Sequence, residues 1–119
     1  MIKNLLCLLF VILVSCSKEG DPIANRKVFA SDNITTENVS YDNYVKPLLT
    51  KNCATCHGDG GSAETWWRNT STYANALQYS RSITTTINNG TMPPPPKFPF
   101  ADRDRELILA WINRGVPEN

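Results

Sequence analysis

An all-α domain of three to five short helices is the fold this sequence predicts, on three observations. Apolar residues recur at helical spacing in two places, at Tyr41, Val45, Leu48 and Leu49 and again at Leu107, Ile108, Trp111 and Ile112. Pro93 to Pro96, with Pro99 after them, form a block that neither a helix nor a central strand accommodates. No segment reads as a paired strand; Thr84-Thr85-Thr86 has β propensity but nothing alternates opposite it. The chain has 119 residues, which is room for one domain. Its 12 basic and 11 acidic residues leave a formal charge of +1, without the basic stripe of a nucleic-acid binder or a charged interaction tail.

The elements follow in order. Lys3 precedes an uncharged apolar run from Leu5 to Val14, too short to span a bilayer and shaped like an export signal. The run ends in Leu13-Val14-Ser15-Cys16, which resembles the lipobox of bacterial lipoproteins. That resemblance implies removal of residues 1–15 and lipidation of Cys16. It also implies an exported protein anchored to a membrane and facing the periplasm or the cell surface. Ser17 in place of Asp disfavours inner-membrane retention, and Ser17-Lys18-Glu19 is similar to short acidic surface-export signals. With Lys3 gone, 11 basic and 11 acidic residues balance. Residues 16–40 are polar without a sustained period and read as a lipidated Cys with a flexible tether, of which 24 residues of coil would span roughly 27 Å. The competing reading has Val28, Phe29 and Ile34 docked on the domain.

The folded domain is expected over 41–119, with its body from Tyr41 to Val116. Pro47 sits awkwardly in the first helix, which it either starts or kinks. Gly58 to Gly61 reads as a flexible loop. Tyr73, Ala76 and Leu77 suggest a short helix, and Ile83 and Ile87 a second one stopping at Asn89-Gly90. The last helix is the clearest, with Asp102 as the expected N-cap and Gly115 and Pro117 ending it.

The chemistry lies in Cys53-Ala54-Thr55-Cys56-His57, a C-x-x-C-H pattern that reads as a c-type haem attachment site. Two thiols three positions apart on one helical turn can reach the two vinyl groups of a haem, and the next residue offers an imidazole to the iron. A thioredoxin-like dithiol would need a βαβ framework, which is missing. A structural zinc site would need a fourth ligand, yet His57 is the chain's one histidine. A Cys53–Cys56 disulfide would close a very short loop and add little. For the second axial ligand, elimination leaves Met92, the one methionine remaining after Met1 is removed, 35 residues beyond His57 in Gly90-Thr91-Met92-Pro93-Pro94. His/Met ligation is usual in electron-carrying cytochromes. The bland alternative is a hydrophobic plug.

These residues, with Tyr41 to Pro47 and the helix through Trp111-Ile112, resemble a small class I cytochrome c domain over about two thirds of the chain. The resemblance implies a cytochrome c-like fold wrapped around one haem c, covalent through Cys53 and Cys56, with His57 and Met92 on the iron. It also implies that the first and last helices cross, placing Val45 and Leu49 against Leu107 and Trp111. The chain departs from the family in one respect. Members commonly hold the axial histidine's ring N–H with the carbonyl of a proline shortly after the motif, and no proline lies between His57 and Met92. Another acceptor is required.

The function expected on this reading is a membrane-tethered, monohaem one-electron carrier, not an enzyme, because both axial positions are filled. Its partners would be redox proteins, together with the bilayer through Cys16; nucleic acid is not expected, and the protein is expected to be monomeric. Trp66, Trp67 and Arg68 are candidates for the haem edge or a propionate. The alternative is a haem-based ligand sensor or small haem enzyme in which Met92 stays off the iron.

Overall fold

A computed structural model describes residues 29–97 and 99–119. The leader, Cys16 and residues 17–28 lie outside them. Four α-helices, α1 (Lys46–Asn52), α2 (Ala54–His57), α3 (Tyr73–Asn88) and α4 (Asp102–Asn113), are preceded by one wide π-helical turn, Tyr41–Val45. Among the described residues there is no strand, and no helix is long and apolar enough to cross a membrane. The all-α fold is as the sequence predicts.

Ser40 starts the first helix with a reciprocal cap: its hydroxyl accepts from the Asn43 amide at 3.3 Å, and the Asn43 side chain accepts from the Ser40 amide at 2.8 Å. The wide turn lies just ahead of Pro47, whose ring nitrogen cannot donate to a carbonyl four residues back. Pro47 therefore falls in the first turn of α1, where a missing N–H costs nothing. The chain's far end completes the cap, since the amides of Tyr41 and Asp42 donate to the carbonyls of Pro117 and Glu118, both at 2.9 Å.

The two short helices expected around Tyr73 and Ile87 are one helix of 16 residues, α3. Thr72 caps it, and Ala76, Ser80, Ile83, Thr84 and Ile87 form one buried stripe at i, i+4, i+7, i+8 and i+11. That continuous stripe overrides the β propensity of the threonines. In α4 the expected cap is not made: Ala101 is the N-cap residue, no side chain caps it, and Asp102 lies within the first turn. Its C-terminus closes as a Schellman motif, with Val116 N–H donating to Trp111 O at 3.0 Å and Gly115 N–H to Ile112 O at 2.9 Å. Gly115 takes the left-handed φ of +82° that this closure needs.

Val45, Leu48 and Leu49 share one buried core with Ile83 and Ile87 of α3 and Leu107, Ile108 and Trp111 of α4. Ile112 packs on its edge.

The tether reading requires correction over residues 29–40. Phe29 packs on the core, Ile34 and Val39 are buried within it, and Phe29 tilts against Tyr44 at 6.0 Å between ring centres. The carboxylate of Asp104, itself 1 % exposed, accepts from the Phe29 amide at 2.9 Å, the Ala30 amide at 3.1 Å and the Tyr44 hydroxyl at 3.0 Å. Arg103 donates to Ile34 O at 2.8 Å and Arg114 to Val39 O. Apolar burial and these hydrogen bonds together outweigh the chain entropy a free tether would keep. Residues 29–40 are a strap across the domain.

Candidate haem site

Helix α1 delivers Cys53 to its C-terminal end, and α2 is the single turn that carries the rest of the motif. His57 N–H donates to Cys53 O at 2.8 Å, so both cysteines and the histidine sit on one tight backbone coil. The loop that follows folds back on it rather than swinging free. The Ala63 amide donates to Cys56 O at 2.8 Å. A Cβ at Gly58 would lie 2.4 Å from Ala54 O, and one at Gly61 would lie 2.3 Å from Cys56 O, so both positions exclude side chains.

This coil forms one wall of a cavity of about 410 Å³, within the range of small-molecule and cofactor sites. Cys53, Cys56 and His57 line it on one side, and Tyr79, Ile83, Thr86 and Ile87 of α3 on another. Met92, Pro93, Pro94, Lys97 and Phe100 come from the proline-rich loop, and Trp66 and Trp67 from the loop after the motif. The four predicted site residues within the described chain, Cys53, Cys56, His57 and Met92, therefore line one cavity. Cys16 lies outside the described residues.

Met92 is carried on a loop fixed to the end of α3. Its amide donates to Thr86 O at 3.1 Å, and the Thr91 hydroxyl reaches the same carbonyl at 3.3 Å. Gly90, at φ +73°, makes the turn out of the helix. Met92 is 37 % exposed.

The two thiols are free. Burial pushes the Cys53 thiol up to about 11; nearby Lys97 works in the opposite direction and Cys56 adds to the rise. A redox dithiol needs a thiolate, which a lowered value supplies, so this environment does not suit thioredoxin-like chemistry. Among the described residues no group of three or more His, Cys, Asp or Glu side chains could hold a metal ion.

The acceptor for His57 is the backbone carbonyl of Trp67, 2.8 Å from Nδ1. Because a carbonyl only accepts, Nδ1 carries the proton and Nε2 of the neutral ring keeps its lone pair. The Trp67 ring also packs on the imidazole, with ring centres 5.1 Å apart, and on Tyr79 at 6.3 Å. Of the three edge candidates, Trp66 and Trp67 line the cavity, whereas Arg68 pairs with Asp59 and with Glu64 at 3.2 Å. Sequence reasoning missed Tyr79, the Trp67 carbonyl and Lys97, the one cation on the cavity wall among the described residues. A backbone acceptor leaves no mark in composition or spacing.

Two thiols, one imidazole with a free ring nitrogen and one thioether around a mainly apolar cavity are a donor set that fits haem. The sequence profile of the family described as cytochrome c oxidase, cbb3-type, subunit III matches residues 45–112. The chain belongs to this family. No curated protein and no solved structure shows a significant match. As a cytochrome c domain, the protein carries covalently bound haem c and serves electron transfer rather than catalysis. The matched span starts within the first helix and ends in α4, so it encloses every cavity-lining residue.

Proposed function

We propose that the protein is an exported, lipid-anchored, monomeric one-electron carrier. Its haem is attached through Cys53 and Cys56 and ligated by His57 and Met92. The observation that carries this reading is the convergence of those four side chains on one apolar cavity. When bound, the haem supplies a single iron that cycles between ferric and ferrous states.

The chain's own residues do the rest. The short coil from Cys53 to His57 sets the two thiols and the imidazole on one wall. Trp67 O holds the proton on Nδ1, so Nε2 is the nitrogen available as ligand. The loop anchored at Thr86 holds Met92 at the wall of the same cavity, and its soft thioether would favour ferrous iron and raise the potential. If His57 and Met92 both held the iron, it would offer no open position to oxygen or substrate. Trp66, 86 % exposed at the cavity wall, leaves that edge approachable by a redox partner. Cys16, lipidated after removal of residues 1–15, would hold the carrier at a membrane facing the periplasm or the cell surface.

One observation favours a second reading, a ligand sensor or small haem enzyme in which Met92 stays off the iron: the Met92 side chain is 37 % exposed rather than enclosed by the cavity. Haem staining of the exported protein on a denaturing gel, combined with absorption spectra, tests both readings. The carrier predicts covalent haem that is lost in Cys53→Ala/Cys56→Ala. It also predicts a near-infrared Met–iron band and no shift of the reduced spectrum under carbon monoxide. Ready carbon monoxide binding with that band absent would reject His57/Met92 ligation.

A further inference from the structure

The Trp67 carbonyl is not held by its own loop alone. The Trp67 indole Nε1–H donates to the Asn75 side-chain oxygen at 3.1 Å, and Asn75 belongs to the first turn of α3. The Asn75 backbone amide in turn donates to the Thr72 hydroxyl at 3.3 Å, so the residue is fixed from both ends. On the other side of the histidine, the Asn69 amide donates to His57 O at 2.6 Å and its side chain to Leu49 O at 3.1 Å. His57 is therefore clamped through its main chain by Asn69 and through its ring by Trp67, and the Trp67 arm ends on Asn75.

We infer that Asn75 is a positioning residue for the axial ligand: by anchoring the Trp67 indole it holds the Trp67 carbonyl on His57 Nδ1 and thereby sets the redox potential. This inference rests on His57 ligating the iron, as proposed above. The reasoning is electrostatic. A carbonyl accepting from Nδ1–H raises the electron density of the imidazole and its basicity as a ligand. A more basic ligand stabilises ferric over ferrous iron. Release of the indole lets the carbonyl drift, weakens that bond and shifts the balance toward ferrous. A group bonded directly to a ligating histidine typically changes metal affinity or activity 10–100-fold when mutated. Asn75 acts one bond further out, so a change of roughly threefold in the ferric/ferrous equilibrium is expected, about 28 mV upward at 59 mV per tenfold for one electron.

The test compares haem-loaded Asn75→Leu, Trp67→Phe, their double mutant and Tyr73→Phe by redox titration. Exchange of the His57 Nδ1 proton is followed alongside by NMR of the reduced protein. Tyr73→Phe is the control for a merely structural effect. It removes a hydroxyl that donates to Val116 O at 2.8 Å, on the same helix and away from the indole. The expected result is an upward shift in Asn75→Leu and Trp67→Phe, a double mutant no higher than the larger single one, and faster Nδ1 exchange. Tyr73→Phe should show none of these. If Asn75→Leu does not fold, Trp67→Phe alone reads the same step, because it deletes the donor to Asn75. An unchanged or lowered potential, or full additivity of the two substitutions, overturns the inference. A wild-type protein with haem not ligated by His57 overturns the proposed function and this inference together. Normal ligation with an unmoved potential overturns only the latter.

Discussion

Replacing Asp104 tests the strap most directly. Its carboxylate is 1 % exposed and gathers the amides of Phe29 and Ala30 and the hydroxyl of Tyr44, the last of which is also buried. Hydrogen bonds to a charged group contribute about 1.5–3 kcal/mol each. Tyr44 keeps a weaker contact to the Asp104 main-chain carbonyl at 3.2 Å, and the two amides can find water once the strap lifts. About 2 kcal/mol for the tyrosine and about 1 kcal/mol for each amide give about 4 kcal/mol for Asp104→Ala. Asp104→Asn keeps a neutral acceptor and should cost about half of that. A domain of about 90 residues holds about 5–14 kcal/mol in all. At about 4–8 °C per kcal/mol, Asp104→Ala should lower Tm by about 16–32 °C. Thermal unfolding of the haem-loaded protein by circular dichroism gives the first readout. Hydrogen exchange at the Phe29 and Ala30 amides gives the second, and both amides should lose protection in the variant. Unchanged Tm together with unchanged exchange at these two amides would refute the clamp.

Met92→Ala should abolish the near-infrared band, open the iron to carbon monoxide and lower the potential by at least about 59 mV, a tenfold change; unaltered spectra would exclude Met92 as ligand. Haem removal is expected to unfold the domain. At about 24 cal/mol per Å³, a vacant cavity of about 410 Å³ costs up to about 10 kcal/mol, close to the whole stability of such a domain. Cys53→Ala/Cys56→Ala made without haem should therefore show little helical dichroism, and full native helicity would contradict this. The pH profile is set in part by Tyr44, whose hydroxyl is held far above the ordinary tyrosine range by burial first and by Asp104 next. An unfolded chain ionises this group near pH 10 while the folded one keeps the proton. Its contribution is thus fully present below pH 10 and falls as pH rises beyond it. Urea unfolding at several alkaline pH values should show a shallower decline in Tyr44→Phe than in wild type; equal slopes would contradict the assignment.

The parts of this fold that rest on local pattern were legible in the sequence. The C-x-x-C-H coil, the Met-Pro loop and the apolar stripe of α4 each announce themselves within a dozen residues. The strap was legible only as the competing reading to a tether, because Phe29, Ile34 and Val39 follow no period and their partners on and just after α4 lie about 70 residues away. The choice between Asp102 and Asp104 was equally hidden. Both are acidic residues in the first turn of α4, and only the tertiary fold turns Asp104 inward as a clamp while Asp102 stays near the surface with Arg105. The single helix α3 was split by reading Tyr73 and Ile87 as separate signals, although Ala76, Ser80 and Ile83 bridge them at helical spacing.

The strap also determines how far the proposed anchor lets the carrier travel. With Phe29 tied to Asp104, a lipid on Cys16 would be joined to the domain by residues 17–28 alone, and such a segment reaches at most about 45 Å when fully extended. The cavity would then sample a shallow layer above the bilayer instead of the bulk compartment. Within that layer its effective concentration toward a membrane-bound donor or acceptor would be on the order of millimolar. A partner whose own redox centre stands well beyond that height would be out of range regardless of its affinity. Cutting the clamp at Asp104 would extend the leash by up to the whole strap, so a buried carboxylate on α4 would govern which membrane proteins the haem can serve.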